Sequence, residues 1–355
     1  MRLFLTFSSI ALLLFSCKEE QEFEFDRTAL LNEVATNQII PNYDELVTKI
    51  EMMKTAIDAF ELSASEANLL AIRAQFSSAY LAFQNVKMFE FGPAADYGFQ
   101  RSSNTYPTDT TQINANIESG AYSLTSVSNT ASIGFPAIDY LIHNGSNEFI
   151  LNAFTSETFA SNRMIYLKDL CTKLNTEASG ISASWNAGYN ETFIASDGTD
   201  ISSSISILFN QFVIDLELVK NAKIGVPAGQ YSGGEPFPTY VESYYSGASK
   251  SLAIANLNAL KAVFTGGTGI GMDDYMDASV EFGTTTIPSS EITNQFDVCI
   301  ASIEALTDPF SASIPVDAAG FSSAYQELKK LVAYAKTDIP AALGVLISFS
   351  DTDGD

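Results

Sequence analysis

Histidine and cysteine are nearly absent from this chain, which has one histidine and three cysteines in 355 residues. Catalytic zinc centres usually take three protein ligands, commonly with histidine among them, so a histidine-rich zinc centre is excluded within one molecule. The sequence also contains no His-Glu-x-x-His motif. A histidine-based catalytic triad could use only His143, and no Gly-x-Ser-x-Gly motif marks a nucleophilic serine.

Basic residues are also scarce. Eighteen Lys and Arg stand against 42 Asp and Glu, which gives a formal charge of -24. The basic residues form no cluster, so a phosphate backbone would be repelled, and nucleic-acid binding is excluded. The apolar content of 46% and the aromatic content of 12% exclude a disordered acidic chain. A chain of this length can bury a large core, and we expect two packed units.

Long hydrophobic runs are absent after the N-terminus. The one apolar stretch, residues 3–15, follows an early arginine and is too short to span a bilayer, but it has the length of a signal-peptide core. We therefore predict a signal peptide over residues 1–16. No later segment has eighteen uninterrupted apolar residues, so nothing else is expected to cross a membrane.

The end of this stretch predicts a lipid anchor. Leu14-Phe15-Ser16-Cys17 resembles a bacterial lipobox, in which a small residue precedes the lipidated cysteine. An ordinary signal sequence with a chance cysteine is the alternative. Lys18-Glu19-Glu20 resembles a tag that sends some lipoproteins to the outer face of the outer membrane. We expect lipidation at Cys17, a linker over residues 17–27, and an outer-membrane lipoprotein that is exposed at the cell surface.

The periodicity of the mature chain is helical. Apolar residues recur at three- and four-residue steps, and clean two-residue alternation is hard to find, so the sequence predicts an all-α fold of antiparallel helical bundles with long polar loops. We place the first bundle at residues 28–185 and the second at residues 186–355, with the boundary in the polar passage Ser179–Ser204. The clearest stripes are Leu46, Ile50, Met53, Ile57 and Phe60; Ile72, Phe76, Ala79, Phe83 and Val86; Ile205, Leu208, Phe212, Leu216 and Val219; and Ile292, Phe296, Cys299, Ile303 and Leu306.

Cys171 and Cys299 remain after processing, and both fall at apolar helical positions. Buried free thiols are the expectation. A disulfide between them is the alternative, because an envelope compartment permits one and the sequence does not give their separation.

Four segments together resemble the imelysin-like family, also called peptidase family M75, over nearly the whole mature chain. Their order and spacing carry the resemblance. They are Phe89-Glu90-Phe91-Gly92-Pro93 leading into Tyr106-Pro107-Thr108-Asp109; Ile133–Leu141 (IGFPAIDYL); Glu242–Leu260 leading into Gly271-Met272-Asp273-Asp274; and Leu346–Asp355.

The resemblance implies two structurally similar helical bundles with a functional cleft between them, in secreted or lipid-anchored envelope proteins often associated with iron acquisition. The family's signature is Gly-x-His-x-x-Glu. In this chain Gly134 matches, Pro136 occupies the histidine position and Asp139 replaces the glutamate. Proline cannot coordinate a metal but suits the first turn of a helix, with Asp139 one turn later on the same face. We therefore expect no zinc peptidase activity.

Carboxylates are the remaining coordinating groups in these segments. If several converge, their oxygens would suit a hard cation such as calcium, magnesium or ferric iron. Capping of helix N-termini is the alternative for each of them. We assign a metal role to Asp139 and Glu90; the sequence does not identify a cofactor, and the candidates are an iron or a calcium ion. The candidate carboxylates are Glu90, Asp109, Asp139, Glu242 and Asp274.

Three further positions stand out. Arg101 is expected to be partly buried, paired with a carboxylate or with a ligand anion. Tyr244, Tyr245 and Ser246 offer hydroxyls that could line the cleft or simply pack. His143 could share the helical face of Asp139, but His-Asn-Gly is more typical of a helix C-terminus, where the imidazole is solvated or bonded to terminal carbonyls.

The sequence thus predicts a lipid-anchored, non-catalytic imelysin-like protein that binds iron or an iron-bearing ligand, with an outer-membrane transporter as a possible partner. The alternatives are an M75-type metallopeptidase with a carboxylate-held metal, and a surface module that contacts another protein. The expected ligand-binding cleft consists of Gly134, Pro136, Asp139, Glu90, Arg101, Asp109, Glu242, Tyr245 and Ser246.

Overall fold

Helices account for all the regular secondary structure in the computed structural model, which describes residues 25–348. This confirms the all-α fold. The predicted signal peptide, Cys17 and the C-terminal end of the Leu346–Asp355 segment lie outside the described residues. The α-helices are α1 (Arg27–Glu33), α2 (Ile40–Leu62), α3 (Glu66–Gln84), α4 (Pro93–Tyr97), α5 (Phe99–Ser103), α6 (Thr110–Ser119), α7 (Gly134–His143), α8 (Asn147–Thr155), α9 (Ala160–Ser184), α10 (Asn190–Ala195), α11 (Ser204–Leu218), α12 (Ser249–Thr265), α13 (Met272–Phe282), α14 (Ser289–Glu304), α15 (Phe310–Ser313) and α16 (Ala318–Leu343).

Three wider π-helical segments follow α-helices, at Val34–Ile39, Trp185–Tyr189 and Val219–Gly225, and the second contains a kink at Gly188, whose φ is +117°. Such segments are rare and often lie at functional sites. Two short 3₁₀ turns, Val127–Ser132 and Pro238–Tyr240, complete the regular structure of the described chain.

Short polar side chains set the start of many helices. The hydroxyl or carboxylate of the residue before the helix accepts a backbone N–H of the first turn, which would otherwise lack a partner. Asp109, for example, starts α6 in a stretch of the chain that is rich in short polar side chains. The capping residues are Asp26, Ser65, Asp109, Ser146, Ser203 and Asp317.

The helices form two packed groups. In the first, α2 lies against α3 and α9, and α7 and α8 pack on α9. In the second, α16 packs on α11, α13 and α14, and α12 lies against α14. Contacts between α3 and α12 join the groups, and the buried apolar side chains form one continuous cluster that includes both. The division at residues 185/186 stays a prediction.

The polar passage Ser179–Ser204 is not a loop for most of its length. Helix α9 continues to Ser184, and the π-helical segment and α10 follow as far as Ala195. The reason is an apolar stripe on α9 that continues through Leu174, Ala178, Ile181 and Trp185, all of which are buried. Packing of that stripe outweighs the weak helix propensity of the intervening serines and glycine.

Cys171 and Cys299 are buried and unpaired, which confirms the expectation of free thiols. Burial raises the pKa of each thiol to about 12, so neither is ionised near neutral pH. Among residues 25–348, no helix combines the length and apolar character that a bilayer crossing requires.

Gly134, the first residue of α7, gives a direct test of local packing. Its φ is +75°, and a Cβ added there would lie 2.2 Å from the carbonyl oxygen of Ser103. We expect Gly134→Ala to lower the free energy of unfolding by about 2–3 kcal/mol, since it combines a left-handed conformation with a backbone clash. Urea denaturation measures the loss.

Gly98→Ala is the matched control. Gly98 has a φ of +58°, but a Cβ there would meet no atom within 4 Å. It should therefore cost only about 1 kcal/mol, from the left-handed conformation alone. Equal losses in the two variants would contradict the clash at Gly134.

Candidate functional site: a pocket beside α7

Helix α7 carries the segment that matches the family signature. Pro136 is its third residue, in the first turn, where the missing N–H costs little. Asp139 follows one turn later, and both residues line the same pocket. The placement predicted for Pro136 and Asp139 is therefore confirmed.

The pocket has a volume of about 140 Å³ and lies where three parts of the chain meet. These are the loop before α6, helix α7, and the segment that leads from the Pro238–Tyr240 turn towards α12. Its walls are rich in hydroxyl groups, and Tyr244, 39% exposed, lies at its mouth. The lining residues are Tyr106, Pro107, Thr108, Thr110, Pro136, Asp139, Thr239, Val241, Ser243, Tyr244 and Tyr245.

Asp139 is 1% exposed, and both of its carboxylate oxygens accept hydrogen bonds. Oδ2 accepts the backbone N–H of Tyr245 at 3.0 Å, and Oδ1 accepts that of Ser246 at 3.1 Å. Nδ1 of His143 also lies 3.0 Å from Oδ1, although the two are not aligned as a hydrogen bond. Two N–H donors offset much of the cost of burying this carboxylate. His143 is the last residue of α7 and shares the helical face of Asp139, as the sequence predicts, but its Nδ1 is turned to Asp139 and not to the terminal carbonyls.

The Asp139 contacts determine the shape of the segment Glu242–Gly247. The segment is not helical, and α12 starts only at Ser249. Ser243 has a φ of +58° and Gly247 a φ of +69°, neither of which fits a right-handed helix. The chain turns sharply because the N–H groups of Tyr245 and Ser246 point to Asp139 and not to a preceding helical turn.

Glu242 lies at the centre of a buried hydrogen-bond network. Its Oε1 accepts from Asn104 at 2.7 Å and from Gln84 at 3.2 Å, and its Oε2 pairs with Lys223. Burial alone would raise the pKa of Glu242, but the Lys223 ammonium outweighs it and holds the pKa below the ordinary value. Burial lowers the pKa of Lys223, with Glu242 acting in the opposite direction. The ion pair is thus the main source of stabilisation for both charges.

A second buried ion pair lies in the same region. Lys87 pairs with Asp215, and both side chains are 4% exposed or less. Asn256 donates to Asp215 at 2.6 Å. Lys87 follows α3 in the first helical group, whereas Asp215 and Asn256 lie on α11 and α12 in the second. Both ion-pair clusters therefore link the two groups.

The structure separates the other sequence-predicted site residues from the pocket lining. Glu90 accepts the backbone N–H of Gln100 at 2.9 Å, and burial together with the nearby Glu177 raises its pKa to about 7. Asp109 caps α6 through the N–H of Gln112 at 3.0 Å. Arg101 is exposed, so the expectation of a partly buried arginine is wrong.

Arg101 and Asp274 also lie outside the lining of the pocket beside α7. Arg101 lines a different groove, of about 270 Å³, together with Lys173 and Glu177. Asp274 accepts the N–H of Gly271 at 3.0 Å and so acts as a cap at the start of α13.

The carboxylates do not converge. Within residues 25–348, no group of three or more His, Cys, Asp or Glu side chains is arranged to hold a metal ion. Asp139 contacts the Tyr245–Ser246 turn, whereas Glu90 contacts the backbone of α5. Metal ligation by Asp139 and Glu90 stays a prediction.

The residues that sequence reasoning missed are those of the ion-pair network. A signal was present, because Lys87 follows the buried Phe83 by four residues and Asp215 follows the buried Phe212 by three. A charged residue on the buried face of an amphipathic helix needs a partner. The missed residues are Gln84, Lys87, Asn104, Asp215, Lys223 and Asn256.

Removing the cation of the Glu242 pair tests this network. We expect Lys223→Met to lower the free energy of unfolding by about 3–5 kcal/mol, because the Glu242 carboxylate is left buried without its counter-ion. Chemical denaturation measures the change.

Lys54→Met is the control. Lys54 pairs with Asp58 on the surface of α2, with both side chains more than 40% exposed. The loss there should stay below about 1 kcal/mol. A Lys223→Met variant as stable as Lys54→Met would show that the buried pair contributes little.

Comparisons with known proteins agree with this architecture. Solved structures similar to this chain include an imelysin-like protein from Psychrobacter arcticum, at 17% identity and a TM-score of 0.69, covering 91% of this chain and 97% of that one. Another, from Parabacteroides distasonis, is described as an iron-regulated protein A precursor, at 20% identity and a TM-score of 0.73, covering 92% and 96%. At these identities the likeness concerns the fold.

Sequence comparison gives the family. Iron-regulated protein A from Synechococcus elongatus is 21% identical over 230 residues, which is 62% of this chain. The match spans about 60% of that relative's length. The family profile of imelysin, Peptidase_M75, matches residues 39–336, most of the sequence. The chain belongs to the imelysin family.

Proposed function

We propose that this protein is a non-catalytic binding protein of the cell envelope that takes an iron-bearing ligand in the pocket beside α7. The observation that supports the proposal most directly is the hydrogen bonding of the Asp139 carboxylate. Both of its oxygens accept backbone N–H groups, and Pro136 stands where the family has histidine. The two signature positions therefore support the shape of a pocket instead of presenting a base or a metal ligand to it.

The pocket walls favour a ligand that forms hydrogen bonds. Burial, with Glu242 and Asp215 nearby, raises the pKa of Tyr106 well above its ordinary value, and burial raises that of Tyr245 to about 12. Both phenols are neutral at physiological pH in the free protein, so they can donate hydrogen bonds to a ligand. A pocket of about 140 Å³ accommodates one polar group of a larger ligand.

The link to iron rests on the relatives. Two proteins similar to this chain carry the name iron-regulated protein A, and one of them is described as a precursor. Regulation by iron is expected of envelope proteins that serve iron acquisition. We therefore place this chain outside the cytoplasm, where an outer-membrane transporter would be its partner.

We also propose that the protein is tethered to the outer membrane through Cys17, on the basis of the lipobox-like Leu14-Phe15-Ser16-Cys17. In a Gram-negative host, the wild-type chain should fractionate with membranes, and Cys17→Ser should move it to the soluble fraction, because the lipid supplies the membrane affinity. Cys171→Ser is the matched control and should stay with membranes. Unchanged fractionation of Cys17→Ser would refute the anchor.

Calorimetric titration tests the binding function. The purified soluble chain is titrated in turn with ferric iron, ferrous iron, calcium, haem and a ferric complex of an organic chelator. We expect heat of binding with an iron complex and none with the bare ions, because within residues 25–348 no group of three or more His, Cys, Asp or Glu side chains is arranged to hold a metal ion. Tyr244→Ala should weaken binding about tenfold by removing the aromatic wall at the mouth of the pocket.

Tyr240→Ala is the matched control, since Tyr240 is 45% exposed, four residues away and outside the pocket lining. It should bind as the wild type does. Flat titrations with every iron species would contradict the proposal. So would cleavage of unfolded protein substrates that a chelator blocks and that Asp139→Ala abolishes, because those results would favour the metallopeptidase.

A further inference from the structure

A second pocket lies on the other side of the Ser243–Ser246 turn. It has a volume of about 180 Å³ and is bounded by α3, the end of α7 and the start of α12. Arg73 and His143 both line it, as do Ser77, Ser246 and Ser251. None of the described side chains that line this pocket is acidic. In a chain with 42 acidic and 18 basic residues, a wall with two basic side chains and no acidic one is unusual, although Asp139 lies behind this wall, 3.0 Å from His143.

Arg73 is held rigidly at the edge of this pocket. Its Nε donates to the carbonyl oxygen of Ile142 at 2.7 Å, and its Nη1 donates to Asn147 at 2.6 Å. No carboxylate pairs with the guanidinium within the described chain, so its charge is not neutralised by a direct partner. Nη2 keeps both of its N–H groups available, and a guanidinium held in this way loses little entropy on binding an anion.

His143 is the second basic group. Its Nδ1 is turned to Asp139, and its ring packs against Phe76 with the centroids 5.5 Å apart. These contacts fix the imidazole and leave Nε2 as the available ring nitrogen. The side chain is 15% exposed, so solvent or a ligand can reach it.

Serine hydroxyls complete the wall. Ser243 and Ser246 share one hydrogen bond between their hydroxyl groups. One shared bond uses one of the two hydroxyl protons, so the other proton remains as a donor. Ser77 is exposed at the rim and adds another hydroxyl. Donors thus come from α3, from α7 and from the turn before α12.

We propose that this pocket is a binding site for a phosphate group, either free phosphate or the phosphate of a small monoester. An arginine with unused N–H groups, an imidazole and several hydroxyls are the donor set that proteins use for phosphate. The net charge of -24 does not prevent this, because distant charges are screened beyond about 8 Å at physiological ionic strength. The site is separate from the pocket beside α7, so its test does not depend on the iron-bearing ligand.

Calorimetry with inorganic phosphate, glycerol phosphate and sodium chloride at matched ionic strength tests the proposal. We expect heat of binding with phosphate and none with chloride. Tighter binding of glycerol phosphate than of inorganic phosphate would identify a monoester as the ligand, and the reverse would identify the free ion. Arg73→Gln should weaken binding at least tenfold, because it removes the unneutralised charge.

Ser77→Asp keeps the test decisive if Arg73→Gln folds poorly. Ser77 is exposed, so the substitution leaves the core intact while placing a negative charge at the rim of the pocket, and phosphate binding should fall at least tenfold. Ser128→Asp, at an exposed serine outside the lining, is the matched control and should bind as the wild type does. Absence of phosphate binding in the wild type, or undiminished binding by Ser77→Asp, would overturn the proposal.

Discussion

The bonds from the backbone of Tyr245 and Ser246 to the buried carboxylate of Asp139 are the constraint on which the rest of the site depends. They tie a turn of the second helical group to a helix of the first, 106 residues earlier in the chain. Because of these bonds, the residues before Ser249 are not helical and α12 begins at Ser249. Because this turn separates two pockets, one carboxylate shapes the walls of both.

An acidic residue at a family signature position can therefore act structurally. Glutamate at such a position, one methylene longer and paired with histidine, can present an oxygen and a nitrogen to a ligand. In this chain both oxygens of the aspartate accept backbone N–H groups, and the proline that stands at the histidine position has no coordinating atom. The pocket that results is lined by hydroxyls and aromatic rings.

Sequence patterns predicted the features that depend on residues close together along the chain. The all-α fold and the first-turn position of Pro136 follow from periodicity and local propensity, and the structure confirms both. The ion pair of Lys87 with Asp215 could not be predicted, because it joins residues 128 apart through the packing of α3 on α12. The start of α12 at Ser249 depends on distant residues too, since the carboxylate that binds the N–H groups of Tyr245 and Ser246 belongs to α7.

The buried ion pairs also limit how a ligand can reach the pocket beside α7. If the two helical groups rotated apart, Lys87 would be separated from Asp215 and Asn104 from Glu242. The continuous apolar core would also be divided. Separating buried charges that remain partly dehydrated is costly. Rotation of side chains at the mouth, such as the exposed Tyr244, would widen the pocket without separating these pairs.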